Sequence, residues 1–300
     1  MQHPAQTKQG FALVVLASLG WSLSGLFVRL LPGLDGWQIN CWRGFWLALT
    51  LLVYLTLKHR SGLGLAFGQV PRFALFVSAV CFAFGTTCYV TSLTLIDTAT
   101  VATIGATAPL ITALLSLRLT GEKPTALNWL AGVLALVGMV VVVKQSSSIG
   151  SSWGILLAMG VPVTFALQTL LLRRYRAFDL MTAICLGGFL SFVIAAFASL
   201  IFSTKSAFML DGNEMALLFL MGVIQLGLPL IFYGWGAKSL PAVMLAVIAT
   251  LDAAFNPLWA WTFAGEVPSL NTILGAAIIL SAVMLSVIGG QRKGFGPVQT

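Results

Sequence analysis

The sequence predicts an all-α integral membrane protein: ten transmembrane helices arranged as two inverted five-helix repeats around a central cavity. Three observations carry that expectation. Hydrophobic residues make up 59% of the 300 and charged residues only 8%, against about 25% charged in a soluble domain. A chain this apolar cannot cover a surface that faces water. The apolar residues also fall into segments of spanning length, a bilayer crossing needing about 20 residues. Finally, the chain repeats itself at an offset of 144 residues, which pairs Gly10 with Gly154, Arg29 with Arg173, Asp35 with Asp179, Gly44-Phe45 with Gly188-Phe189, and Tyr89 with Tyr233. Pro241 to Pro268 aligns in the same way with Asp97 to Pro124, both stretches closing in Gly-Glu-x-Pro. Past that point the offset slips by one, so that Asn128 and Gly132 meet Asn271 and Gly275. A period of half the chain means duplication of one large unit.

In order, the spans are read at 10–31, 36–57, 71–93, 97–118, 126–144, 152–172, 180–202, 213–237, 241–263 and 269–289. Turn and charge signals separate them, among them Pro32-Gly33-Leu34-Asp35-Gly36, Lys58-His59-Arg60-Ser61-Gly62, Gly121-Glu122-Lys123-Pro124 and Arg173-Arg174-Tyr175-Arg176. Lys8 precedes a first apolar run long enough to span, so that run reads as a retained helix and not as a cleaved signal peptide. The serine-rich stretch at 146–152 is the natural linker between halves. The organisation is therefore a cytoplasmic tail 1–9, a first repeat 10–145, the linker 146–152, a second repeat 153–290 and a cytoplasmic tail 291–300.

Basic residues set the orientation. With the N-terminus inside, the cytoplasmic side receives twelve of the sixteen Lys and Arg, the outer side receives Arg29, Lys144 and Lys205, and Arg43 falls within a span. That asymmetry places both termini in the cytoplasm of an inner-membrane protein. Five spans per half then force the second copy to run upside down, a common plan for secondary transporters. The basic residues sit singly or in small groups with no continuous basic face, so the net charge of +8 does not point to nucleic acid. Cys41, Cys81, Cys88 and Cys185 all lie inside apolar segments without a CxxC pair. They suggest neither zinc nor a disulfide framework.

Ionisable groups inside a membrane are costly and mark functional positions by default. Two qualify here. Arg43 could snorkel to the outer surface or pair with a substrate carboxylate. Asp252 could couple protons or pair structurally with a neighbour. Pro109, Pro162, Pro229 and Pro257 each remove a backbone donor, which makes them either static kinks or hinges. Among the rings, Trp21 is the offset partner of Phe165, and Tyr89 of Tyr233. Inverted copies bring equivalent positions towards one axis, so these four are the candidate substrate wall. Trp235 is a further aromatic candidate. Ser22, Ser24, Thr103, Thr107, Gln168 and Thr250 are polar neighbours that could orient a cargo, or ordinary helix-packing surface.

Several classes are disfavoured. The two histidines, His3 and His59, lie in a tail and a loop. There is no HExxH and no P-loop, so neither a membrane enzyme nor an ATP-driven pump is indicated. The paired Gly121-Glu122 and Gly265-Glu266 endings, Pro109, Tyr89, Tyr233, Trp21 and Arg43 together resemble the drug/metabolite transporter superfamily, in particular its EamA-type ten-helix members. The likeness extends over about residues 10–290, with Pro257 standing one turn beyond the position, Ala253, where the family carries a proline. Within that group the apolar, aromatic-rich interior is similar to the YddG-like amino-acid exporters. The resemblance implies export of amino acids, including aromatic ones, and related small metabolites by alternating access. The alternatives are export of other neutral metabolites or drugs, or a membrane-embedded lipid-modifying enzyme. The expected partners are a small-molecule substrate and the bilayer, with no cofactor, metal or nucleic acid. The sequence does not fix the oligomeric state, and a monomer is compatible with it.

Overall fold

The computed structural model describes residues 4–96, 98–105, 107–119, 125–143, 152–175, 177–203, 206–264 and 270–292. The linker 146–151, both Gly-Glu-x-Pro endings and the side chains of Thr103 and Pro257 lie outside the described residues. Among those described there is helix and no strand. Six segments are long and apolar enough to cross a membrane: 7–29, Gly36–His59, Arg72–Leu95, Ser152–Arg174, Met181–Phe202 and Gly212–Ala237. Shorter apolar helices stand at Ala108–Leu119, Ala126–Gly138 and Ile273–Ala282. Phe73, Phe76, Leu156, Phe197 and Ile201 are exposed on the outside, which suits a lipid solvent and not water.

The helices run α1 (Pro4–Trp21), α2 (Ser24–Arg29), α3 (Gly36–His59), α4 (Leu63–Gln69), α5 (Arg72–Leu95), α6 (Thr98–Gly105), α7 (Ala108–Leu119) and α8 (Ala126–Val143). They continue as α9 (Ser152–Arg174), α10 (Met181–Phe202), α11 (Gly212–Leu220), α12 (Leu228–Ala237), α13 (Ala242–Ala249), α14 (Leu251–Ala264) and α15 (Leu270–Arg292).

The sequence reading gives spans one, four and nine as the single segments 10–31, 97–118 and 241–263. Each is broken: α1 stops before α2, α6 before α7, and α13 before α14. One local device recurs at all three breaks. Ser22 Oγ donates to Leu19 O at 2.7 Å, Thr107 Oγ1 to Ile104 O at 2.8 Å, and Thr250 Oγ1 to Val247 O at 2.6 Å. The backbone shifts with it, as Leu23 N turns to Gly20 O, Thr107 N to Ile104 O and Thr250 N to Val247 O, each three residues back. A hydroxyl that competes for a helix carbonyl loosens the next turn. In a bilayer, the groups so released must find partners inside the protein.

Pro109 is the second residue of α7, where a missing N–H breaks no bond. Pro162 lies inside α9, which continues through it. Pro229 stands second in α12, but the chain ahead of it is already wound, with Met221–Gly227 forming a π-helix. Pro229 has no N–H to offer Gln225 O, and the wider winding accommodates that loss.

The helices pack α3 on α10, α8 on α15, α5 on α9 and α1 on α12. Small residues set how closely they approach. A Cβ on Gly44 would stand 2.9 Å from Gly188 O and 3.0 Å from Phe192 N. A Cβ on Gly20 would meet the Pro229 ring, and one on Gly85 would meet the Thr164 side chain.

Two aspartates begin helices. Asp35 caps α3, accepting from Trp37 N at 2.9 Å and Gln38 N at 3.0 Å, while Gln38 Oε1 accepts from Asp35 N. Asp179, ahead of α10, accepts from Met181 N at 3.3 Å. It is also bound by Lys58 Nζ at 2.6 Å and His59 Nε2 at 2.9 Å. Burial raises the pKa of the Asp179 carboxyl, but the bonds from Lys58 and His59 outweigh it and hold the group below the usual carboxylate range. This ties the end of α3 to the start of α10.

Candidate substrate cavity

Seven elements converge on one interior space. The start of α3 contributes Arg43, α5 contributes Thr86 and Tyr89, and the end of α1 contributes Trp21. From α9 come Phe165, Gln168 and Thr169, from the π-helical turn Gln225, and from α12 Tyr233, while Asp252 reaches in from the first turn of α14. The cavity they line has a volume of about 180 Å³. A second cavity of about 90 Å³ is lined by Leu93, Thr98, Val101, Pro162, Thr250 and Asn256, among others. The two share a wall of Trp21, Tyr89, Val161, Phe165 and Asp252.

Three of the four offset-paired rings touch one another. The Trp21 and Phe165 centroids are 6.1 Å apart at 87°, Trp21 and Tyr233 5.0 Å apart, and Phe165 and Tyr233 5.8 Å apart. These are edge-on and tilted geometries, favoured by the ring quadrupole. The Tyr233 hydroxyl bonds Thr169 Oγ1 at 2.8 Å. Tyr89 stands apart from the trio. Its hydroxyl bonds Ser24 Oγ and its ring lies under the Arg43 guanidinium, 5.9 Å from centroid to Cζ.

Arg43 does not snorkel. It is 3% exposed, and its donors turn inward. Nη1 donates to Thr86 Oγ1 at 2.8 Å, and Nε and Nη2 both reach Gln225 Oε1 at 3.4 Å. Thr86 Oγ1 donates onward to Asn40 Oδ1 at 3.4 Å, and Asn40 Nδ2 donates to Thr87 and Ser191 at 2.9 and 2.8 Å. One buried polar chain thus crosses α3, α5, α10 and the π-helical turn and fixes the guanidinium. Asp252 is half-buried in the wall of the same cavity.

The polar candidates separate. Gln168 lines the larger cavity, bonded to Ser78, and Thr250 lines the smaller. Ser22 and Thr107 sit at the helix breaks, outside both linings. Ser22 Oγ also accepts from Trp259 Nε1 at 2.6 Å. Trp235 is exposed near the ends of α3 and α12, donating to the Tyr54 hydroxyl at 2.9 Å. Gln225, Thr86 and Asn40 were not singled out from the sequence. The sequence reading draws its amides and hydroxyls from other positions, although an amide within an apolar span, as Gln225 is, is itself a polar signal.

A helical bundle with an apolar exterior and an amphipathic internal cavity defines a carrier of small molecules. The chain belongs to the EamA-like transporter family, which matches residues 8–144 and again 152–288, and with it to the drug/metabolite transporter superfamily. It is a multi-pass membrane transporter and not an enzyme. It is 28% identical over 298 residues to the pseudopaline exporter CntI of Pseudomonas aeruginosa (strain UCBPP-PA14), covering 96% of this chain and 98% of that one. It is 23% identical over 262 residues to an S-adenosylmethionine uptake transporter of Rickettsia felis, covering 87% and 85%. With protein RarD of Escherichia coli (strain K12) it shares 23% over 290 residues, covering 94% and 95%. A solved crystal structure superimposes with a TM-score of 0.78 at 18% identity, covering 96% of this chain and 99% of that one.

Proposed function

We propose that this transporter exports amino acids, aromatic and other apolar ones included, together with related small metabolites, across the inner membrane by alternating access. The observation that carries this reading is the composition of the larger cavity. A ring-lined apolar wall stands in the same space as a buried guanidinium and a carboxylate, an arrangement complementary to a zwitterion with an apolar side chain. Trp21 Nε1 is buried and has no hydrogen-bond acceptor among the described residues, so an acceptor on the cargo would satisfy it. The relatives named for pseudopaline export and S-adenosylmethionine uptake support a small-metabolite cargo. The two cavities meeting at the Trp21–Phe165 wall support alternating access, with those rings as the barrier between sides.

The finer architecture belongs to the same proposal: ten spans, two inverted five-helix units at 10–145 and 153–290, and cytoplasmic termini. Contacts between offset partners support it. Gly44 meets Gly188, its own partner 144 residues on, as partners beside a two-fold axis would. The close approach of Gly20 to Pro229 has a counterpart in that of Thr164 to Gly85, which are the offset partners of Gly20 and Pro229. Because the native cysteines are buried, single introduced cysteines report topology cleanly. An impermeant thiol reagent applied outside should label positions 146–152 and miss 173–176. The reverse pattern would overturn the inverted arrangement.

Flux into proteoliposomes of labelled amino acids, with and without a pH gradient, tests the function. Mutually competitive uptake of aromatic and branched amino acids is expected. Transport of neutral drugs alone would refute the amino-acid reading. If Asp252 couples protons, Asp252→Asn should abolish the response to the gradient while leaving counterflow exchange. A gradient response equal to wild type would remove Asp252 from the coupling step.

A further inference from the structure

We infer that Gln225 is a placeholder for the cargo's carboxylate and thereby sets the preference for acids over amines; this rests on the amino-acid reading of the cavity. Arg43 presents two edges. One is occupied by Thr86 at an ordinary hydrogen-bond distance of 2.8 Å. The other, the Nε/Nη2 fork, is the edge that matches a carboxylate bidentately. Both its donors converge on the single oxygen of Gln225, at 3.4 Å each. That is well beyond the usual ~2.9 Å for N–H···O. A neutral oxygen shared by two donors at this length satisfies the fork weakly. A carboxylate offers one oxygen to each donor, at shorter range and with about twice the strength. Arg43 and Gln225 both line the larger cavity, so an acid bound there can take the amide's place.

The chain conformation explains why an amide can yield. Gln225 lies in the π-helical turn ahead of Pro229, and single π turns recur where a helix serves function rather than packing. Its Nε2 donates to Trp21 O at 3.2 Å, at the broken end of α1. The side chain thus bridges the anion-binding edge and the span-one break. Displacing it from Arg43 also loosens its hold on Trp21, whose ring is part of the wall between the cavities. Arrival of an acid is thereby linked to the segment that separates the two sides.

The test uses full-length purified protein and two probes, L-phenylalanine and its decarboxylated counterpart 2-phenylethylamine. The readout is the ratio of their affinities, which a merely structural role would leave unchanged. Gln225→Glu sets a permanent carboxylate against the fork and should lower the preference for phenylalanine at least about tenfold, with phenylethylamine binding retained. Gln225→Met removes the competing acceptor without adding charge and should raise the preference about threefold. A ratio that stays at the wild-type value in either folded variant, or that falls in both, overturns the inference. Should the Glu variant fail to fold, the Met variant decides alone, by a raised ratio or its absence. Wild-type protein that shows no preference for phenylalanine would instead refute the amino-acid reading on which the inference stands.

Discussion

Gly44→Val is expected to remove most of the folded protein. A Cβ at this position stands 2.9 Å from Gly188 O, 3.0 Å from Phe192 N and 3.4 Å from Phe192 Cα. All three are backbone atoms of α10, so no side chain can swing away to relieve the clash. The helices α3 and α10 must separate along their whole contact, one of the most extensive between helices in the molecule. In lipid, helix association depends on close packing, since burial away from water gives no drive between apolar helices. Overpacking usually costs about 1–3 kcal/mol, and a backbone-against-backbone clash belongs at or above the top of that range. The yield of monodisperse protein in size-exclusion chromatography should fall about tenfold or more. Gly68→Val is the control, because nothing lies within 4 Å of the Cβ it would add. Wild-type yield and melting temperature in Gly44→Val would show that the α3–α10 approach is looser than the structure has it.

The ends of the long rods are legible in the sequence. Spans read at 36–57, 71–93 and 180–202 correspond to α3 at Gly36–His59, α5 at Arg72–Leu95 and α10 at Met181–Phe202. Apolar length and terminal charge fix these ends, and both are local properties. The interior breaks are not legible, for a physical reason. Ser22, Thr107 and Thr250 bond back to carbonyls three residues earlier, yet many serines and threonines in these spans also bond back within unbroken helices, as Thr50 does to Trp46 O and Thr87 to Ala83 O. At the span-one break the partners come from other elements, Gln225 Nε2 donating to Trp21 O and Trp259 Nε1 to Ser22 Oγ. Hydropathy carries no trace of that.

The site divides along similar lines. The 144-residue offset brings the four ring positions into view, and all four line the larger cavity. It also implies that equivalent rings have equivalent surroundings, which they do not. Tyr233 touches both Trp21 and Phe165, whereas its partner Tyr89 turns to Arg43 and Ser24. The halves have diverged where it matters for the rings. Span one is broken at Trp21, and its counterpart α9 runs unbroken past Phe165. Arg43 has no basic counterpart either, since the offset places Gly187 there. The asymmetry of the cavity, a ring cluster on the Tyr233 side and a guanidinium on the Tyr89 side, therefore comes from these departures from the repeat.

Arg43→Gln should lower the affinity for L-phenylalanine by roughly 10- to 150-fold and that for 2-phenylethylamine far less. The guanidinium is buried and held by Thr86, Gln225 and the face of Tyr89, so little reorganisation is needed to meet an anion. A hydrogen bond to a charged group contributes about 1.5–3 kcal/mol, which is the stated range of affinity. A glutamine is shorter and neutral, and it cannot present two parallel donors to a carboxylate. Folding should survive the change. Replacing a buried charge by a neutral group removes its desolvation cost, and the partners Thr86 and Gln225 are themselves neutral. Arg43→Lys separates charge from geometry. It keeps the cation and loses the fork, so phenylalanine affinity should lie between wild type and Arg43→Gln. Equal losses for both probes in Arg43→Gln would assign Arg43 to holding α3, α5 and the π-helical turn together. The anion in the cargo would then have to be recognised elsewhere in the cavity.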